Sequence, residues 1–107
     1  MYTVRYEWNQ AKNRENQRNH HGISFELAAS VFEDERCLIY FDRLDEVTGE
    51  VRWHAIGAVQ VEASPPALLL VVHVYRKDRY GEEIIRILSA RQAEKYDIRR
   101  YQEQTAD

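Results

Sequence analysis

Glu50-Val51-Arg52-Trp53-His54-Ala55-Ile56-Gly57 alternates ionisable and apolar side chains more plainly than any other part of the chain. In an extended segment successive side chains point to opposite faces, so Glu50, Arg52, His54 and Ile56 share one and Val51, Trp53 and Ala55 the other. The apolar side can join a core. The other carries an acid, a permanent cation and an imidazole, the groups needed to hold a phosphate and move a proton beside it. A solvated strand face with a cross-strand ion pair accounts for the same residues.

Further strands flank this one. Leu38 to Phe41 is a short apolar run, followed by a polar loop, Asp42 to Gly49. The strand from Val51 to Val61, with Gly57 as a place to bend, is closed by Ser64-Pro65-Pro66, because proline cannot continue a ladder. Ala67 to Tyr75 is apolar on both faces and so belongs in the middle of a sheet covered on both sides. Lys77 to Gly81 turns the chain into a last strand, Glu83 to Leu88, and Ser89 with Gln92 makes a capping box for a final helix to about Tyr101. Upstream, Tyr2, Val4 and Tyr6 alternate with polar residues as a short strand. Asn9 caps a polar surface helix, Gln10 to about Asn19, anchored by Ala11 and the stem of Lys12. Asn19-His20-His21-Gly22 ends it, and Ser24 caps a second helix with Phe25, Leu27, Ala28, Val31 and Phe32 as its stripe. The expectation is an α+β fold: a small antiparallel sheet with two N-terminal helices and one C-terminal helix.

A length of 107 residues fits a single domain, 1–107. The net charge of −3 argues against coating nucleic acid through bulk positive charge. Basic residues nevertheless collect between Arg76 and Arg100, and arginine, whose planar fork suits phosphate, outnumbers lysine. The single cysteine, Cys37, cannot form an internal disulfide or a cysteine-rich zinc site and reads as a buried spectator. No apolar run approaches the roughly 20 residues of a membrane span, and Met1 to Trp8 lacks a signal-peptide core, so a cytoplasmic protein is expected.

Of the four histidines none pairs at zinc-binding spacing, so neither a metal nor any other cofactor is expected. His73 shares a face with Leu69, Val71 and Tyr75 and reads as a buried imidazole bonded to backbone. His20 and His54 are better placed to titrate. Arg86 interrupts an apolar strand and needs a partner, either Glu50 or a substrate phosphate. Arg76 closes the central strand, and Arg91 falls in the first turn of the last helix, where an anion would offset the dipole. These positions suggest a groove bordered by arginines. Gly-rich phosphate loops, serine nucleophile motifs and paired-carboxylate metal sites are all missing from the sequence.

Taken together, Tyr6-Glu7-Trp8-Asn9-Gln10-Ala11-Lys12, Asn16, His20, Gly22-Ile23-Ser24-Phe25-Glu26, Ala28, Val31-Phe32 and Asp34 resemble the opening signature of the BrnT family of type II toxins. Glu50-Val51-Arg52-Trp53, Ile56-Gly57, Val71-Val72-His73, Tyr75-Arg76, Glu82, Ile85-Arg86-Ile87, Ser89-Ala90-Arg91, Ala93 and Tyr101 resemble the rest. Asn9 and Asp97 stand where the family usually has Asp and Glu, Asn19 where it often has Lys, and one extra residue lies between His20 and Gly22. The resemblance implies a RelE-like fold and a metal-independent ribonuclease that arrests translation. It further implies a BrnA-like antitoxin, through which the complex meets operator DNA. Combined with the residues, it suggests Glu50 or His54 as base, Arg52, Arg76 and Arg86 on the phosphate, His20 or Tyr101 as proton donor, and Lys12 and Arg91 as further RNA contacts. A non-catalytic module whose arginines meet an acidic partner segment is the rival reading.

Overall fold

The computed structural model describes residues 4–104, so Tyr2 of the expected first strand lies outside them. In chain order these residues form β1 (Arg5–Glu7), α1 (Gln10–Asn19), α2 (Phe25–Ala29) running into a 3-10 turn (Ser30–Glu33), β2 (Leu38–Leu44), β3 (Val51–Val59), β4 (Ala67–Lys77), β5 (Glu83–Gln92) and α3 (Lys95–Glu103). The strands make one α+β sheet in the order β1-β5-β4-β3-β2. The stretch from β2 to β5 is the expected antiparallel meander. The edge differs: β1 pairs parallel with β5. No tight turn joins those two strands, so nothing local dictates their relative direction.

One face of the sheet carries the core, where Phe25, Ala28 and Val31 meet Ala55, Val59, Leu69, Val71, Ile85 and Ile87. β4 is central, and Leu69, Leu70, Val71 and Val74 are all buried, as expected of a strand covered on both sides. Gly57 serves close approach instead of a bend, since a Cβ there would lie 2.8 Å from both the Cγ1 and the carbonyl oxygen of Val31. The opposite face buries Ile56 and its cross-strand partner Leu70, with α3 packed against β3.

Both predicted N-caps form: Asn9 accepts from the Lys12 N–H and Ser24 from the Leu27 N–H, each at 3.0 Å. The anchoring of α1 is a correction. Ala11 and Lys12 are exposed, and the helix is held by two buried amides. Asn13 accepts from the Phe25 N–H at 2.8 Å and donates to Glu26. Asn16 donates to the carbonyls of Ile23 and Ala90 and accepts from the Ala90 N–H. A helix with almost no apolar stripe is thereby docked through hydrogen bonds.

A second correction concerns the start of α3. Ser89 to Gln92 continue β5 past a register shift at Val72/His73, and the capping box is made by Glu94 and Asp97. The Asn16 clamp on Ala90 holds that stretch in the ladder. Arg91 is consequently a strand residue, bonded to Asp97 at 2.8 Å.

Candidate active site

Strand alternation carries Arg52 from β3, Arg76 from β4 and Arg86 from β5 to the face opposite the core. With Lys12 of α1, Asp45, Thr48 and Glu50 of the β2–β3 loop, and Val74 and Leu88 as its floor, they line one hollow of about 220 Å³. That is smaller than the roughly 300–1,000 Å³ of pockets that enclose a whole small molecule. The arginine side chains are 37%, 44% and 26% exposed for Arg52, Arg76 and Arg86, so they can reach a ligand from solvent.

Each arginine has a carboxylate. Arg52 reaches Asp45 at 2.8 Å, and Arg86 reaches Glu7 at 3.0 Å. Arg76 bonds Glu50 through Nε at 3.0 Å and Nη2 at 3.3 Å, while its Nη1 lies 3.5 Å from Glu7. The expected Arg86–Glu50 pairing is therefore replaced: Glu7 is the direct parallel partner of Arg86 in the β1–β5 ladder, and Glu50 belongs to Arg76. The Glu50 bond also raises the Arg76 pKa. Hydrogen bonds from the N–H groups of Thr48 and Val47 hold the Asp45 carboxyl below its ordinary value. Lys12 and the three arginines outnumber the two carboxylates that line the hollow, Asp45 and Glu50, and Glu7 borders it through Arg76 and Arg86. The free donors are unevenly shared. Arg76 has all three nitrogens beside carboxylates, whereas Arg52 and Arg86 each use one, leaving two without a partner among the described residues.

His20, at the end of α1, lines an adjoining hollow of about 270 Å³ with Glu15, Asn16, Asn19 and Ser89, and Lys12 and Leu88 belong to both hollows. The sharp turn that sets His20 there uses left-handed backbone at His21 (φ 52) and Gly22 (φ 78). Three other candidates lie apart from both. His54 faces Tyr40, whose hydroxyl is 3.1 Å from Nδ1, and Asp42, 3.4 Å from Nε2; burial lowers its pKa against the pull of Asp42. Tyr101 donates to Asp34 at 2.6 Å, and burial together with that carboxylate pushes its pKa up to about 12. Arg91 is tied to Asp97 and Glu94. His73 is fully buried, and the Val71 backbone favours its charged form as the expected backbone bond would, but neither ring nitrogen has a partner within full hydrogen-bond geometry among the described residues. Its ring instead meets those of Phe32 and Tyr75 edge-on.

Sequence reasoning missed Glu7 and Asp45. Glu7 was in view, inside the Tyr6-Glu7-Trp8 motif, but its partner is 79 positions away. Asp45 sits in a polar loop where an acid carries no local signal. Among the described residues no three His, Cys, Asp or Glu side chains gather to hold a metal ion.

Residues 8–97 match the family model described as ribonuclease toxin, BrnT, of type II toxin-antitoxin system. The chain belongs to the BrnT family. A comparison with curated proteins finds no match. As a BrnT ribonuclease toxin it has RNA as its substrate class and an antitoxin as its partner. The BrnT match contains Lys12, His20, Glu50 and the three arginines of the hollow; Glu7 and Tyr101 fall outside it. No helix among the described residues is long and apolar enough to cross a membrane.

Proposed function

We propose that this BrnT protein is a metal-independent endoribonuclease of RelE-like fold whose active site is the arginine hollow with its His20 extension. The observation that carries the reading is the convergence of Arg52, Arg76 and Arg86 with Lys12 in one hollow. RNA supplies its own nucleophile, the 2'-hydroxyl beside the scissile phosphate. Glu50 takes the 2'-proton, the 2'-oxygen bonds to phosphorus, and the bond to the 5'-oxygen breaks. His20 protonates that departing oxygen, leaving a 2',3'-cyclic phosphate and a 5'-hydroxyl. Arg52 and Arg86 carry the charge that builds on the phosphate, and fixed donors aimed at developing charge are worth more than equivalent donors in water.

Glu50 is preferred to His54 as base, and His20 to Tyr101 as acid, because the first of each pair lines the joined hollows. Arg91 drops out of RNA contact on the same ground. Cleavage of cellular RNA then inhibits translation in the cytoplasm. A BrnA-like antitoxin neutralises the protein and brings the pair to operator DNA.

The test is incubation of RNA with the purified protein in excess chelator. Cleavage to cyclic-phosphate ends, slowed by about a hundredfold or more by His20→Ala, is expected. Intact RNA would overturn the reading. Cleavage that survives Arg→Lys exchange at 52 and 86 unchanged would remove the arginines' forked grip from it.

A further inference from the structure

Arg76 and Arg86 rise from adjacent strands toward the same hollow, and two guanidinium groups so placed repel each other unless an anion stands between them. Glu7 is that anion. Its Oε1 is 3.0 Å from Arg86 Nη1 and 3.5 Å from Arg76 Nη1, so one oxygen serves both cations. The far side of Arg76 is closed by Glu50. An unbroken chain Arg86–Glu7–Arg76–Glu50 therefore runs across the sheet face. It fixes Arg76 completely and Arg86 at one nitrogen, with the other Arg86 donors left for a ligand.

We infer that Glu7 is a positioning residue for RNA cleavage: it aims the free donors of Arg86 at the scissile phosphate and ties Arg86 to Arg76, the spacer that Glu50 holds. This rests on the nuclease reading of the hollow. The role is carried by β1, a strand of only three residues held at the sheet edge by parallel pairing with β5. A small shift of that edge moves Glu7 and, with it, Arg86. Glu7 touches no reacting atom. Removing its charge should raise the attraction of the hollow for any polyanion while spoiling the geometry of the grip, so binding and turnover move in opposite directions.

Two readouts test this, with Glu7→Gln, Glu7→Asp and Arg5→Ala beside wild type. Arg5 lies on the same strand and makes a comparable ion pair, 3.0 Å from Asp78, outside the hollow, so its variant reports on loosening of β1 alone. First, the side-chain guanidinium signals of Arg76 and Arg86 are followed by NMR without RNA. Slow rotation in wild type, lost at Arg86 in Glu7→Gln but kept at Arg52 and at Arg76, which Glu50 still holds, is expected; unchanged signals at Arg86 overturn the inference. Second, steady-state cleavage of a mixed-sequence single-stranded RNA is measured in chelator. Glu7→Gln should lower kcat roughly tenfold to a hundredfold with KM unchanged or lower, Glu7→Asp should recover part of the loss, and Arg5→Ala should cut like wild type. Full activity of Glu7→Gln, or equal loss in Arg5→Ala, overturns the inference and leaves the nuclease intact. Wild type that leaves RNA whole removes the reaction, and this inference with it.

Discussion

The sheet face turned away from the core has two ends with different fates. Where α3 lies across it, ionisable groups close on one another: Tyr101 on Asp34, Arg91 on Asp97, and His54 between Tyr40 and Asp42. At the end that α3 does not reach, Arg52, Arg76 and Arg86 converge with Lys12 on one hollow, and Arg52 and Arg86 keep donors that nothing among the described residues takes up. Groups beside α3 pair off singly, whereas those beyond it share one hollow. On the core face, the buried imidazole of His73 cannot meet a substrate at all.

The largest expected effect lies at the uncovered end. Arg52→Ala with Arg86→Ala should slow RNA cleavage by about 10²–10³-fold in single-turnover assays. Melting temperature should change little, since these partly exposed ion pairs are each worth about 0–1 kcal/mol. A collapse of the fold would show that the arginines are structural after all.

The covered histidine should affect stability and leave cleavage chemistry alone. Burial lowers the His73 pKa from 6.5 to about 4, so the unfolded chain takes up the proton first as pH falls. Stability that is complete above about pH 6.5 is then lost toward pH 4 and no further below it. The loss amounts to roughly 3 kcal/mol at most. Urea titrations at pH 7.5 and 4.5 check this, with His73→Phe predicted to flatten the difference.

A smaller effect is expected at the amide clamp. Asn16→Ala strands the Ala90 N–H and two carbonyls, costing about 2 kcal/mol in denaturant unfolding. Tyr101→Phe should cost about 1 kcal/mol and leave cleavage near wild type. A strong loss of cleavage there would erase the difference between the two ends of the face.

What could be read in the chain beforehand follows the range of the forces involved. Asn9, Ser24 and the doubly apolar β4 declare themselves locally, through a hydrogen bond three residues on or through a run of side chains. The alternation that begins at Glu50 put Arg52 and Ala55 on opposite faces correctly, because strand periodicity is a backbone property. Two capping boxes competed for the start of α3, and the choice of Glu94/Asp97 over Ser89/Gln92 was made by Asn16, far upstream. The Arg86–Glu7 pair depends on a parallel edge strand that no turn announces. Asn13 and Asn16 looked like solvated helix residues because polarity alone does not tell a clamp from a surface.

The most direct test of the central claim is the ratio of cleavage rates in chelator between Arg52→Ala/Arg86→Ala and Tyr101→Phe, each compared with wild type on one RNA. Loss of at least about a hundredfold in the first with near-normal cutting in the second is predicted. Equal rates in the two variants, or intact RNA with wild type, would contradict an active site built on the uncovered arginines.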